Sequence, residues 1–132
     1  MASNTNIFYD EGSIDITATA DEAITSSYLG VKMSTDGDVT IADAGTACVG
    51  IAQEVVASGA EAIIRIQGVS FARISTGSIN AGLPVKLADN GYVVAATDGD
   101  FVIGKTIAAA SGVDAVVPII ILPGGYQIED VV

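Results

Sequence analysis

Histidine and tryptophan are absent from this chain, cysteine occurs once, and only five of the 132 residues are basic. Without an imidazole there is no Ser-His-Asp or Cys-His arrangement, no histidine metal ligand, and none of the commonest general base at neutral pH. The single cysteine, Cys48, excludes an intrachain disulfide and a thiolate metal cluster. Set between Ala47 and Val49, it reads as a small, inert, buried hydrophobe. No phosphate-cradling loop is present, since residues 45–50 (GTACVG) have the glycines but no lysine. Sixteen acidic residues bring the net charge to −11. A surface of that sign repels phosphate backbones and lacks the basic stripe that nucleic-acid binding needs. The longest apolar run, residues 115–122 (AVVPIIIL), is too short to cross a bilayer as a helix. The start MASNTN has neither the basic nor the apolar region of a secretory signal. These shortages point away from an enzyme, from a metal or other cofactor, and from nucleic-acid or membrane partners.

Half of the residues are hydrophobic, but only three are Phe and four Tyr. The core must therefore be built from Val, Ile and Ala, and fifteen glycines are available for turns. The length suits one domain. Residues 62–74 (AIIRIQGVSFARI) form a central ribbon: Ala62, Ile64 and Ile66 alternate with Ile63, Arg65 and Gln67, the period of a half-buried strand. Beyond Gly68, a bulge or sharp bend, Ser70, Ala72 and Ile74 alternate with Val69, Phe71 and Arg73. Residues 13–19 (SIDITAT) carry a weaker strand signal. Flanking the ribbon, the chain repeats itself at an offset of 54. Val31-Lys32-Met33 returns as Val85-Lys86-Leu87, and Gly37, Gly45 and Gly50 return as Gly91, Gly99 and Gly104. Residues 31–59 and 85–113 read as an internal duplication.

Asp36-Gly37 and Asn90-Gly91 are the dipeptides of two-residue hairpin turns. Residues 47–53 and 101–107 read as the next strands. The fold class expected is all-β, a sandwich or small barrel from two related halves, with at most one short helix, at 53–62 or 105–110. The last strand, 115–122, is apolar on both faces and must be central or covered by another subunit. Pro118 argues against a central place and favours a subunit interface. Residues 1–12 read as an N-terminal arm ahead of a single β domain, 13–132. The cluster Ile7-Phe8-Tyr9 within that arm is either a local staple or a segment that orders on a partner.

Thr-Asp-Gly-Asp occurs at 35–38 and 97–100 and reads as a solvated turn; a calcium ion would want six to eight oxygens. Arg65 and Arg73 either neutralise neighbouring carboxylates or form, with Phe71, an anchor patch, since Arg and aromatic residues are enriched at binding hot spots. A carbohydrate-binding or adhesion module is the alternative reading. It would need exposed aromatics, and Tyr28, Tyr92 and Tyr126 are the candidates.

In order and spacing the chain resembles the head decoration, or cement, proteins of tailed bacteriophages. The matching segments are Phe8-Tyr9-Asp10-Glu11-Gly12, Val49-Gly50-Ile51-Ala52 with Ala57-Ser58-Gly59, and the ribbon ending in Gly68. They continue with Ile79-Asn80-Ala81-Gly82-Leu83-Pro84-Val85, Asn90-Gly91, and Ile103-Gly104 before an Ala-Ser-Gly turn and a terminal Val/Ile strand. The resemblance implies a small β-barrel or β-tulip-like domain, in a non-enzymatic protein made in the host cytoplasm and carried on the outer surface of the capsid. It implies a homotrimer bound to the major capsid protein lattice, stabilising the head against the pressure of packaged DNA. Ile7, Phe8, Tyr9, Arg65, Phe71 and Arg73 are then the expected partner-binding residues.

Overall fold

The computed structural model of the chain describes residues 12–75 and 77–127, the last five of these by backbone alone. Eleven strands follow in order: β1 (Ile14–Thr19), β2 (Gly30–Met33), β3 (Val39–Ile41), β4 (Gly50–Ala52), β5 (Glu61–Arg73), β6 (Ser78–Ile79), β7 (Pro84–Leu87), β8 (Val93–Ala95), β9 (Phe101–Thr106), β10 (Ala110–Ser111) and β11 (Val116–Gln127). The fold is all-β, as the turn spacing predicts. A 3-10 turn over Asp89–Gly91 is the only helical element among the described residues. Neither Ala-rich stretch is helical. Instead β5 begins at Glu61, and β9 runs to Thr106.

The main sheet follows the path β3-β2-β4-β5-β11-β9-β7-β8, and β1 adds to β5. Each half curls until it meets itself. In the first, Ala20, just past β1, bridges Val39 of β3 in parallel; in the second, Ile74, just past β5, bridges Val93 of β8 in the same way. The result is two rings of five strands, β1-β5-β4-β2-β3 and β5-β11-β9-β7-β8, with β5 belonging to both.

The bonds of the rings recur 54 positions on. Val31 pairs with Gly50 and Val85 with Gly104. The amide of Ser34 donates to the Asp38 carbonyl and that of Ala88 to the Tyr92 carbonyl. Asp36-Gly37 and Asn90-Gly91 thus sit in five-residue loops rather than the expected two-residue turns. Asn90 and Gly91 both have positive φ, at 63° and 78°, but the Asn90 amide is spent on the Asp43 carboxylate of the other ring.

The alternation read in the ribbon is present in β5: Ala62, Ile64, Ser70 and Ala72 are buried, while Ile63 and Gln67 are exposed. The strand is unbroken at Gly68 but changes partners there. Before it, β5 pairs with β1 and β4; from Gly68 onward it pairs with β11. Gly68 has φ +99°, and a Cβ on it would come within 2.7 Å of the Ser13 Cα. The register slip lies just before it, where Ile14 pairs with Gln67 but Asp15 with Arg65.

Each ring encloses its own core. Ala20, Ile24, Val31, Val39, Ala52 and Ile64 fill the first. Ala72, Ile74, Val85, Val93, Val117 and Ile119 fill the second. The sequence-based expectation for the last strand needs correction, because β11 is central, flanked by β5 and β9. Pro118 is tolerated there because β9 ends at Thr106. The neighbour of Pro118 on that side is Ile107, past the strand end, which donates its amide to the Pro118 carbonyl, so little of the ladder is lost to the missing N–H.

Candidate interaction surface

The outer face of β5 and β11 gathers three of the expected residues. In the antiparallel ladder Val69 stands opposite Ile120, Phe71 opposite Pro118 and Arg73 opposite Val116. Directly opposed residues share a face, so these six side chains form one strip. Val116 and Ile120 are 38% and 42% exposed. Their alternation with buried Val117, Ile119 and Ile121 was hidden in the sequence because both faces of the strand are apolar.

Arg73 closes one end of the strip. Its Nε donates to the Ser27 carbonyl at 3.0 Å, one terminal nitrogen to Ser27 Oγ at 3.0 Å, and the other to the Asp114 carbonyl at 2.9 Å. The guanidinium fork ties the loop before β2 to the turn before β11. Next to it the Phe71 and Tyr28 rings pack tilted, with centroids 5.4 Å apart. The Tyr92 hydroxyl donates to Asp114 Oδ1 at 2.5 Å, and that carboxylate holds the phenol above its ordinary pKa. Tyr28 and Asp114 both have positive φ, at 66° and 63°, backbone cost held in place by the surrounding bonds. Arg73→Ala is expected to lower stability by about 2 kcal/mol, since bonds from a charged donor are worth more than neutral ones. Arg73→Lys should recover less than half, because an ammonium cannot match the fork. Chemical denaturation of the three proteins checks both statements.

Arg65 lies further along β5, directly opposite Asp15 of β1. Its Nε is 2.9 Å from Asp15 Oδ1, and a second nitrogen donates to Oδ2 at 3.3 Å. A third bond reaches the Val69 carbonyl. Both arginines are thus engaged within the chain. Ile7, Phe8 and Tyr9 lie outside the described residues.

The second Thr-Asp-Gly-Asp segment is a turn closed on itself. Asp100 Oδ2 accepts from the Thr97 amide at 2.8 Å and from Lys86 Nζ at 3.1 Å. These partners, the Thr97 amide foremost, hold its carboxyl below the usual range. Its stabilising effect is present above the ordinary carboxylate pKa and fades as acid protonates it. Among the described residues no three acidic or thiol side chains converge to hold a metal ion.

Between the rings lies a second feature that the sequence did not disclose, an open apolar groove of about 530 Å³. Cys48, Ile51 and Ile66 line it from the first ring, and Phe101, Ile103 and Ile121 from the second. Phe101, on its rim, is 60% exposed. The Cys48 thiol donates to the Gly50 carbonyl at 3.3 Å. Burial pushes its pKa up from 9.0 to about 11. Only the thiolate reacts with alkylating agents, so at pH 8 the raised pKa alone should slow the reaction about 100-fold relative to a free thiol. The rate should rise tenfold per pH unit until about pH 11, which a pH series with iodoacetamide would show.

These features define an all-β scaffold of two fused strand rings, with an apolar strip and a groove on its surface. No family model matches the chain, and no curated protein does. Among solved structures it is similar to the N base of the head fiber protein gp8.5 of bacteriophage phi29. The TM-score is 0.62 at 18% identity, over 89% of this chain and 99% of that one. At that identity the likeness is one of fold.

Proposed function

We propose that this chain is a structural, non-enzymatic protein of a bacteriophage head, seated on the outer surface of the assembled shell and stabilising it against the pressure of packaged DNA. The observation that carries this reading is the shared fold, which takes in nearly the whole of a head fiber base and most of this chain. The strip of Val116 and Ile120 supports it, because exposed apolar side chains aligned on a rigid central strand suit a contact with another protein. In this reading three copies associate through that strip, and the Ile7-Phe8-Tyr9 arm adds to a strand or loop of the major capsid protein. Several weak contacts per trimer together give firm attachment. The net charge of −11 keeps decorated particles apart.

The test is the number of copies of this chain per major shell subunit in purified particles, before and after dilution washing. A ratio near one supports a lattice-wide cement. A handful per particle, or none, overturns it.

A further inference from the structure

We propose that the groove between the two rings is the docking site of the chain's own Ile7-Phe8-Tyr9 segment in the free protein. The inference stands apart from the shell reading and needs only the geometry of this chain.

The groove has the size of a pocket that takes a few large apolar groups. Its lining is apolar apart from Thr46 and Lys86, and the Lys86 ammonium already faces Asp100 at 3.1 Å. No charge is left to select a charged ligand, so the occupant must be uncharged and greasy. Residues 1–11 contain one such cluster, at 7–9, and residues 2–6, 10 and 11 beside it are small or polar.

The path into the groove is short. Ser13 lies against Gly68, its Cα only 2.7 Å from where a Cβ on that glycine would stand. Gly68 is directly opposite Ile121 in the β5–β11 ladder. Ile121 lines the groove, as does Ile66 two residues before Gly68. The chain therefore enters the described fold beside the groove. Going back from Ser13, Tyr9 is four residues away and Ile7 six, a reach of up to about 20 Å at the extended spacing of ~3.3–3.6 Å per residue. A tether that short gives an effective concentration on the order of millimolar, so even weak apolar contact keeps the segment docked. Asp10 and Glu11, between the cluster and Gly12, can stay in water at the mouth.

Cys48, the only cysteine, lines the groove and reports its occupancy. The measurement is the rate of reaction with iodoacetamide at pH 8.5 for the full-length protein and for the double variant Ile7→Ser, Phe8→Ser. The variant should react at least tenfold faster, with the wild-type rate independent of protein concentration. Equal rates would overturn the proposal. So would acceleration only in Ile128→Ser, Val131→Ser, which would assign the groove to the residues after Gln127. Wild-type protection that fades on dilution would assign it to a second copy and overturn the proposal as well. If the serine variant melts early, Phe101→Asp decides the matter. Emptying the groove from its rim should speed chymotrypsin cleavage after Phe8 and Tyr9 at least tenfold, and unchanged cleavage would count against docking.

Discussion

Gly50→Ala is expected to lower stability by about 3 kcal/mol, and Gly104→Ala by a similar amount, the upper range for overpacking a tight site. Neither glycine has positive φ, so the cost is steric. A Cβ on Gly50 would stand 2.5 Å from the Arg65 carbonyl oxygen and 2.8 Å from the Ile64 side chain. On Gly104 it would stand 2.7 Å from the Ile120 carbonyl oxygen. The carbonyl oxygens belong to β5 and β11, the sheet neighbours of β4 and β9, so relief requires the backbone itself to shift. The matched control is Gly37→Ala, at a loop with φ +87° and nothing within 4 Å. There the cost is the left-handed backbone alone, about 1 kcal/mol. Urea denaturation of the three variants should separate them clearly. Equal, small losses would mean that β4 and β9 can move away from their neighbours.

On the proposed shell-binding role, Val116→Asp combined with Ile120→Asp is expected to reduce occupancy of assembled shells at least 100-fold, about 2.8 kcal/mol at 1.4 kcal/mol per tenfold, while leaving the fold intact. Both side chains are more than a third exposed, so charging them costs the free protein little. Between copies, the same charges would have to lose their water, and across a symmetric contact they would face each other. The proposed association predicts a trimer for the wild type and a monomer for the variant by sedimentation. A variant that stays trimeric and decorates shells normally would remove the strip from the proposed interface. The same substitution at Ile119, which is fully buried, should instead unfold the protein.

The all-β fold was legible because its signals are local. Alternation through β5 and the Asp-Gly and Asn-Gly loops can be read from a few neighbouring residues. The bond that ties the Asn90 amide to Asp43, 47 positions away, was not legible. The place of β11 was misjudged for a related reason. A proline is excluded from a central strand only where its neighbour continues, and nothing in residues 115–122 tells that β9 stops at Thr106. The Arg73 fork likewise depends on Ser27 and Asp114, 46 and 41 positions off. Sequence could nominate Arg65, Phe71 and Arg73 as a group on one ribbon. It could not show that both guanidinium groups are committed to internal bonds, which leaves the apolar members of the strip exposed beside them.

Because β5 is a wall of both rings, neither ring can melt and leave the other whole. Unfolding the first removes β1 and β4 from one half of the strand, and unfolding the second removes β11 from the other half. The amides of residues 62–72 should therefore exchange with deuterium only in the rare event that the whole molecule opens. Those of β3 and β8, at the two ends of the sheet, should exchange much sooner. Heat should give a single transition in which the calorimetric and van't Hoff enthalpies agree.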